Sequence, residues 1–475
     1  MRAYILIFAG CLALQTASGQ ETELSREAQR AGQLVREGNP EAAIPIYLRL
    51  VRALPNRPEP FIDLCVAEFK AKQYGAAIQH ASAALKLNAD LPAANLFLGA
   101  SYLKTAQYAN AVAPLEKALA IMPADRNARL MLAEALSGAA RYREALKQFQ
   151  SAAELLPDSP RVWYGLGQVY DALAEPACQD IQNKSPDSAY SWALAGDSYL
   201  RERQFARAYV AYRRSLAKAP ILPGVHAGLA RVYIETGHPD WAKKEQALES
   251  ATSKALENNG ELGVSYSQCK ADRNRADESY ARLAQLAPSF ESHLHAAKLL
   301  DVAGRHREAV SEWRSGLQLA PESAQAQLGL AWSLYQLRDY DPVLPILARL
   351  LAMQPESAEA NFLYGATLLN LEKPDAAIQY LQAALKRNPQ LRAAEAALGQ
   401  ALLRRGKPEE AIPYLKAALA EDRDGDTHFQ LFRAFQLTGE ADLAKRALAD
   451  YQQFRASLSQ KEQNERPAEI AAPGP

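Results

Sequence analysis

The chain repeats itself every 34 residues, and a period of that length limits what it can fold into more than any other feature. In residues 92–125 the first half carries Leu98-Gly99, Tyr102 and then Tyr108. The second half carries Ala111, Leu115 and Ala118 and ends near Pro123. The next unit repeats this with Leu132-Ala133, Leu136, Tyr142, Ala145, Phe149, Ala152 and Pro157. Much later, Leu398-Gly399, Leu402, Pro408, Ala411, Leu415 and Ala418 keep the same spacing. Each half places apolar residues at helical intervals, so each unit is expected to be two amphipathic helices. Leu and Ala are abundant and β-branched residues form no alternating runs, which points to helix throughout.

Small residues recur for a physical reason. Gly or Ala in the first helix, and Ala in the second, let two helix backbones approach closely. The second-helix column reads Ala43, Ala77, Ala111, Ala145, Ala208, Ala242, Ala276, Ala309, Ala377, Ala411 and Ala444, with Val343 as its exception among the regular units. Four residues later a large side chain fills the gap between helices, as Tyr47, Phe149, Tyr212, Tyr280 and Trp313 do. Pro near the end of a unit stops the second helix, because it has no N–H and disfavours helix in the residue before it.

These residues resemble the tetratricopeptide signature. Thirteen units are read, starting near Leu24, Pro58, Pro92, Arg126, Pro160, Ala189, Pro223, Glu257, Phe290, Ala324, Ala358, Arg392 and Gly425. The resemblance implies an all-α fold, a right-handed superhelical solenoid with a concave groove lined by first helices. Two stretches depart from the pattern. The fifth unit has a good first helix (Trp163, Leu166-Gly167, Tyr170), but residues 174–186 leave room for only a clipped second one. The seventh and eighth units degrade from about residue 243, with Gly260 and Gly263 where a helix should start and Ser267 at a core position. The expected organisation is a signal peptide over 1–19, N-terminal units over 20–188, middle units over 189–289, C-terminal units over 290–458 and a disordered tail over 459–475.

Lys+Arg and Asp+Glu balance at 54 each, so there is no basic excess of the kind that neutralises nucleic-acid phosphates. At the N-terminus, Arg2 precedes a short apolar core from Ala3 to Leu14, and Ala17-Ser18-Gly19 presents small residues to a signal peptidase. Cleavage is therefore expected before Gln20, giving an exported protein in the bacterial periplasm or outside the cell. The apolar stretch is too short for a permanent membrane span, and a soluble mature protein is expected. Phe8-Ala9-Gly10-Cys11 also looks like an acylation motif. Acylation there would leave a very short signal and an apolar stretch on the mature side, so Cys11 is read as part of the apolar core, and a lipid anchor is expected only if it is acylated. The remaining Cys65, Cys178 and Cys269 are few, odd in number and far apart, which implies no disulfide framework. Cys65 falls where packing needs a small buried residue.

Motifs for chemistry do not accumulate. Gly165-Leu166-Gly167 lacks the third glycine and the preceding strand of a dinucleotide site. His293 and His295 are two apart and point to different sides of a helix. There is no HExxH, P-loop or nucleophile elbow in the sequence. No enzyme, no cofactor, no metal and no small-molecule substrate is expected. Some glycosyltransferases carry a long tetratricopeptide arm before a catalytic domain, but here the repeats run almost to the end of the chain.

The expected function is a protein–protein interaction scaffold that binds peptide segments or partner proteins in an extracytoplasmic assembly or envelope role. The alternative is a regulatory or substrate-recruiting subunit of an envelope enzyme such as a glycosyltransferase, without catalysis of its own. By the resemblance, residues two, five, nine and twelve of each first helix face the groove. In the fourth to seventh units these include Asn127, Glu134, Arg161, Tyr164, Gln168, Asp171, Tyr190, Asp197 and Arg231, which suits an extended peptide. In the tenth and eleventh they include Trp332, Tyr335 and Phe362, which suits a helix or an apolar side chain. The Lys/Asn arrangement that clamps chaperone C-terminal carboxylates in some relatives is absent, so no such binding is expected.

Overall fold

The computed structural model describes residues 19–252, 260–464 and 470–473. Among the described residues the regular structure is entirely helical: twenty-four α-helices and a 3₁₀ turn at Leu419–Glu421. They follow the repeat from the first unit. Helices α1 (Gly19–Arg36), α2 (Pro40–Ala53), α3 (Pro58–Lys70), α4 (Tyr74–Leu87), α5 (Pro92–Lys104), α6 (Tyr108–Ile121), α7 (Arg126–Gly138) and α8 (Tyr142–Leu155) form four pairs. They lead into a longer α9 (Pro160–Lys184). Two pairs follow: α10 (Ala189–Arg201) with α11 (Phe205–Lys218), and α12 (Val225–Glu235) with α13 (Pro239–Thr252). A second long helix, α14 (Glu261–Gln285), precedes the last five pairs. These are α15 (Phe290–Val302) with α16 (His306–Leu319), α17 (Ala324–Gln336) with α18 (Val343–Met353), α19 (Ala358–Asn370) with α20 (Pro374–Arg387), α21 (Arg392–Arg404) with α22 (Pro408–Ala418), and α23 (Asp426–Leu437) with α24 (Ala441–Asn464).

The turn inside each pair is closed the same way. A single residue enters the left-handed region at Gly38, Lys72, Ala106, Ala140, Arg203, Gly237, Gly304, Arg338, Glu372, Gly406 and Gly439. The next N–H then reaches back over the helix end, as Gln73 N–H to Glu68 C=O (2.8 Å) and Arg141 N–H to Leu136 C=O (2.9 Å) do. This double closure satisfies the last carbonyls of the first helix and reverses the chain. Between the two helices, a Cβ added to Gly99 would lie 2.5 Å from Leu115, and one added to Gly399 would lie 2.6 Å from Leu415. No side chain fits there, so glycine sets the spacing of the pair. The second-helix alanine column is buried throughout, with Ala111, Ala145, Ala208, Ala276 and Ala411 at 0% exposure.

Two compact units emerge: residues 1–176 with 271–285, and residues 177–270 with 286–475. These cuts differ from the boundaries expected near residues 188 and 289, because each unit is built from two separate stretches of chain. The fifth unit was expected to hold a clipped second helix; instead α9 runs unbroken to Lys184, past Pro176. The eighth likewise contributes one helix, α14, which starts beside Gly260, buries Gly263 and leaves Ser267 exposed rather than in a core position.

In the first unit, residues 271–285 supply the second helix that the first half of α9 lacks. Ala276 joins the core formed by Val162, Leu166 and Val169, with Tyr280 packed against it. A Cβ on Gly167 would lie 2.4 Å from the Tyr280 ring, the contact that other units make within one repeat.

In the second unit, residues 177–184 and 261–270 are joined by a disulfide between Cys178 and Cys269, with Cα atoms 5.3 Å apart and a sequence separation of 91. This corrects the expectation that no disulfide framework is implied; among the described cysteines Cys65 is free, and it is buried. Ser265 Oγ–H donates to Asp180 (2.9 Å), and Lys184 pairs with both Asp180 and Glu261. At the other end of the chain α24 continues to Asn464, so the tail expected to be disordered from Ser459 begins as helix. The expected signal sequence up to Ser18, Cys11 included, lies outside the described residues.

Candidate functional site

The first-helix residues expected to face a partner are divided between the two units. In the first, Asn127 is exposed near the start of α7, where Asp125 caps the helix by accepting from the Asn127 and Ala128 N–H groups. Arg161 on α9 reaches Glu134 on α7 through two parallel hydrogen bonds, Nε to Oε1 (2.9 Å) and Nη2 to Oε2 (2.6 Å). That fork links successive first helices at an exposed surface. One turn on, Tyr164 is largely buried, and its hydroxyl accepts from the exposed Gln168 amide (3.0 Å). Its ring lies 6.4 Å from Tyr280, whose hydroxyl donates to Asp171 (2.9 Å). Burial, reinforced by the Asp171 charge, raises the Tyr280 phenol well above its ordinary range, so it stays protonated and keeps donating.

In the second unit, Tyr190 packs on Tyr266 (5.2 Å), whose hydroxyl donates to the Pro223 carbonyl (3.0 Å). Asp197 accepts from Tyr212 O–H (2.8 Å) and from Lys270 Nζ (2.6 and 2.8 Å). Arg231 is exposed on α12. Asp171 and Asp197 thus serve as anchors for Tyr280, Tyr212 and Lys270. This joining work falls to side chains that sequence reasoning had not placed at the site. Adding 34 to Ala140 and to Gly237 gives residues 174 and 271, and neither adopts the left-handed turn conformation.

Further along, Trp332 on α17 is 38% exposed, and its ring stacks on Tyr335 (6.1 Å, 24° between planes). The Tyr335 hydroxyl accepts from the Asn370 side chain of α19 (3.0 Å). Burial raises the Tyr335 phenol, and the Asn370 bond partly offsets this. Phe362 is half-buried against the core of the last repeats. His293 bonds Glu312 (2.7 Å), whereas burial lowers His295 to about 4. Among the described residues, no group of three or more His, Cys, Asp or Glu is arranged to hold a metal ion. No described helix is long and apolar enough to cross a membrane.

Paired antiparallel helices of fixed length, each closed by the same turn, define a helical-repeat protein. Family models narrow the class: two described as tetratricopeptide repeat match residues 102–169 and 275–424. The chain carries tetratricopeptide repeats over these stretches. No curated protein matches it. Among solved structures it is similar to yeast Tom70, at 16% identity over 86% of this chain and 95% of that one, with a TM-score of 0.31. It is also similar to TTC0263, a thermophilic TPR protein of Thermus thermophilus (20% identity, 38% and 95% covered, TM-score 0.32). A third is YrrB, described as a TPR protein with an unusual peptide-binding site (20% identity, 36% and 90% covered, TM-score 0.30).

Proposed function

We propose that the chain is a protein-interaction scaffold whose first helices hold peptide segments or partner proteins, working outside the cytoplasm in an envelope or assembly role. The observation that carries the reading is Trp332. A tryptophan at 38% exposure, stacked on a tyrosine that is itself tethered to the next repeat, offers a large apolar surface whose orientation is already fixed. Such preset aromatics contribute disproportionately to binding, because little rotamer freedom is lost when a partner covers them. The exposed Arg161–Glu134 fork and Gln168 offer charged and polar contacts of the kind an extended peptide needs. Two features support the extracytoplasmic setting: the signal-like sequence before Gln20, and the Cys178–Cys269 disulfide, since such bonds persist in oxidising compartments.

Affinity capture from an envelope extract, with the mature chain and its Trp332→Ala variant in parallel, tests the reading. The retained partner should be lost from the variant, at a cost of about 2 kcal/mol or more, while circular dichroism and melting temperature stay unchanged. A folded variant that retains every partner overturns it. N-terminal sequencing of exported material should begin at Gln20, and an acylated Cys11 would overturn that part.

A further inference from the structure

A second aromatic cluster lies in the second unit, where α11, α12 and α13 meet. Tyr233 of α12 is fully buried, yet its hydroxyl donates to the backbone carbonyl of Ala471 (2.9 Å), 238 residues away in sequence. Its ring lies 6.2 Å from Tyr209 on α11 and 5.6 Å, edge-on, from Trp241 on α13. Trp241 is stacked in turn on His238 (4.0 Å, 14° between planes). Tyr209 and Trp241 belong to second helices, and Tyr233, although on the first helix α12, is not among the residues expected to face the groove, so this aromatic cluster is distinct from the residues to which the scaffold function is assigned.

The segment meeting it, Ile470-Ala471-Ala472-Pro473, is neither helix nor strand. Ile470 is half-buried, Ala471 and Ala472 are exposed, and Pro473 is buried, so the covered positions stand three residues apart. An extended polyproline-type backbone has three residues per turn, which puts positions i and i+3 on one side. Such segments lose little entropy on docking and suit aromatic-lined surfaces that supply a donor to a free carbonyl. Here the Tyr233 hydroxyl is that donor and the Ala471 carbonyl the acceptor.

We propose that Tyr209, Tyr233, His238 and Trp241 form a binding site for a short, extended, apolar peptide containing proline, and that residues 470–473 of this chain are its resident occupant. A tethered occupant acts at an effective concentration of order mM, so it holds the site against a free peptide of similar sequence.

The test compares the full chain with one lacking residues 465–475, using a fluorescein-labelled peptide of residues 466–475 and reading anisotropy. The shortened chain should bind the peptide, and the full chain should bind it roughly ten-fold more weakly because its own tail competes. Tyr233→Phe in the shortened chain should weaken the peptide about three- to ten-fold by removing one hydrogen bond while keeping the ring. A full-length chain carrying Ile470→Asp and Pro473→Asp should bind the peptide as the shortened chain does, which keeps the test decisive if the truncation folds poorly. Amide exchange across α12 and α13 should rise in both tail variants. Equal binding to the full and shortened chains, or no binding to the shortened and doubly substituted chains, overturns the proposal.

Discussion

Six of the turn residues that enter the left-handed region are not glycine: Lys72, Ala106, Ala140, Arg203, Arg338 and Glu372. A Cβ there crowds the backbone, whereas glycine has none, so these positions carry strain that Gly38 or Gly406 does not. Ala140 is exposed at φ 58°, and nothing but its backbone conformation is at stake. Ala140→Gly should stabilise the α7–α8 pair by about 1 kcal/mol, read as slower amide exchange in those helices under mild urea; Gly38→Ala should loosen α1–α2 by a similar amount. His295 makes a pH prediction. Burial, with Lys298 beside it, lowers the folded pKa from 6.5 to about 4. Between those values the unfolded chain binds a proton that the folded chain refuses, so this contribution to stability is complete above about pH 6.5 and is lost as pH falls towards 4. His295→Leu should flatten the dependence of melting temperature on pH across that window, and an unchanged slope would count against the assignment. The alanine column and the small residues at helix crossings were readable from sequence, because close packing favours small side chains there. The roles of Asp171 and Asp197 were not readable: their partners Tyr280 and Lys270 lie 109 and 73 residues away.

At the scale of elements, the decisive event is that α9 and α14 continue through the positions where other first helices turn back. The first half of α9 then takes its second helix from residues 271–285, and Gly167 meets Tyr280 as Gly99 meets Leu115 in an unbroken unit. Gly167→Ala should overpack that crossing at a cost of about 1–3 kcal/mol. The penalty should shrink when Tyr280→Ala is added, since the pair share one contact, and the coupling is measured by a double-mutant cycle. Additive effects would mean that the two residues do not touch. Helical periodicity alone read the fifth unit as one with a clipped second helix, and the seventh and eighth as degraded. Whether a helix turns or runs on at Ala174 depends on what the continuing helix packs against, and a local pattern carries no record of that.

At the scale of the whole molecule, the chain passes from the first compact unit to the second, back to the first, and again to the second. The stretch that leaves and returns is closed by Cys178–Cys269, at a sequence separation of 91. Constraining a loop of that length restricts the unfolded chain, by up to about 4–5 kcal/mol in the chain-entropy model. Cys178→Ser with Cys269→Ser should therefore raise amide exchange in α10 to α13, while α1 to α6, which depend on their own neighbours, keep their protection. Unchanged exchange in α10 to α13 would show that the bridge contributes nothing there. What the amino-acid sequence determined by itself is the repeat: helix pairs of fixed length, small residues where they cross, and a helix-only fold. Those properties arise from contacts between residues less than one period apart, and they recur often enough to be seen. What only the tertiary structure decided is which helices pair out of order, which cysteines meet, and which phenols and carboxylates are already bonded to each other. Each depends on a single contact between distant residues, made once, and a contact made once leaves no periodic trace.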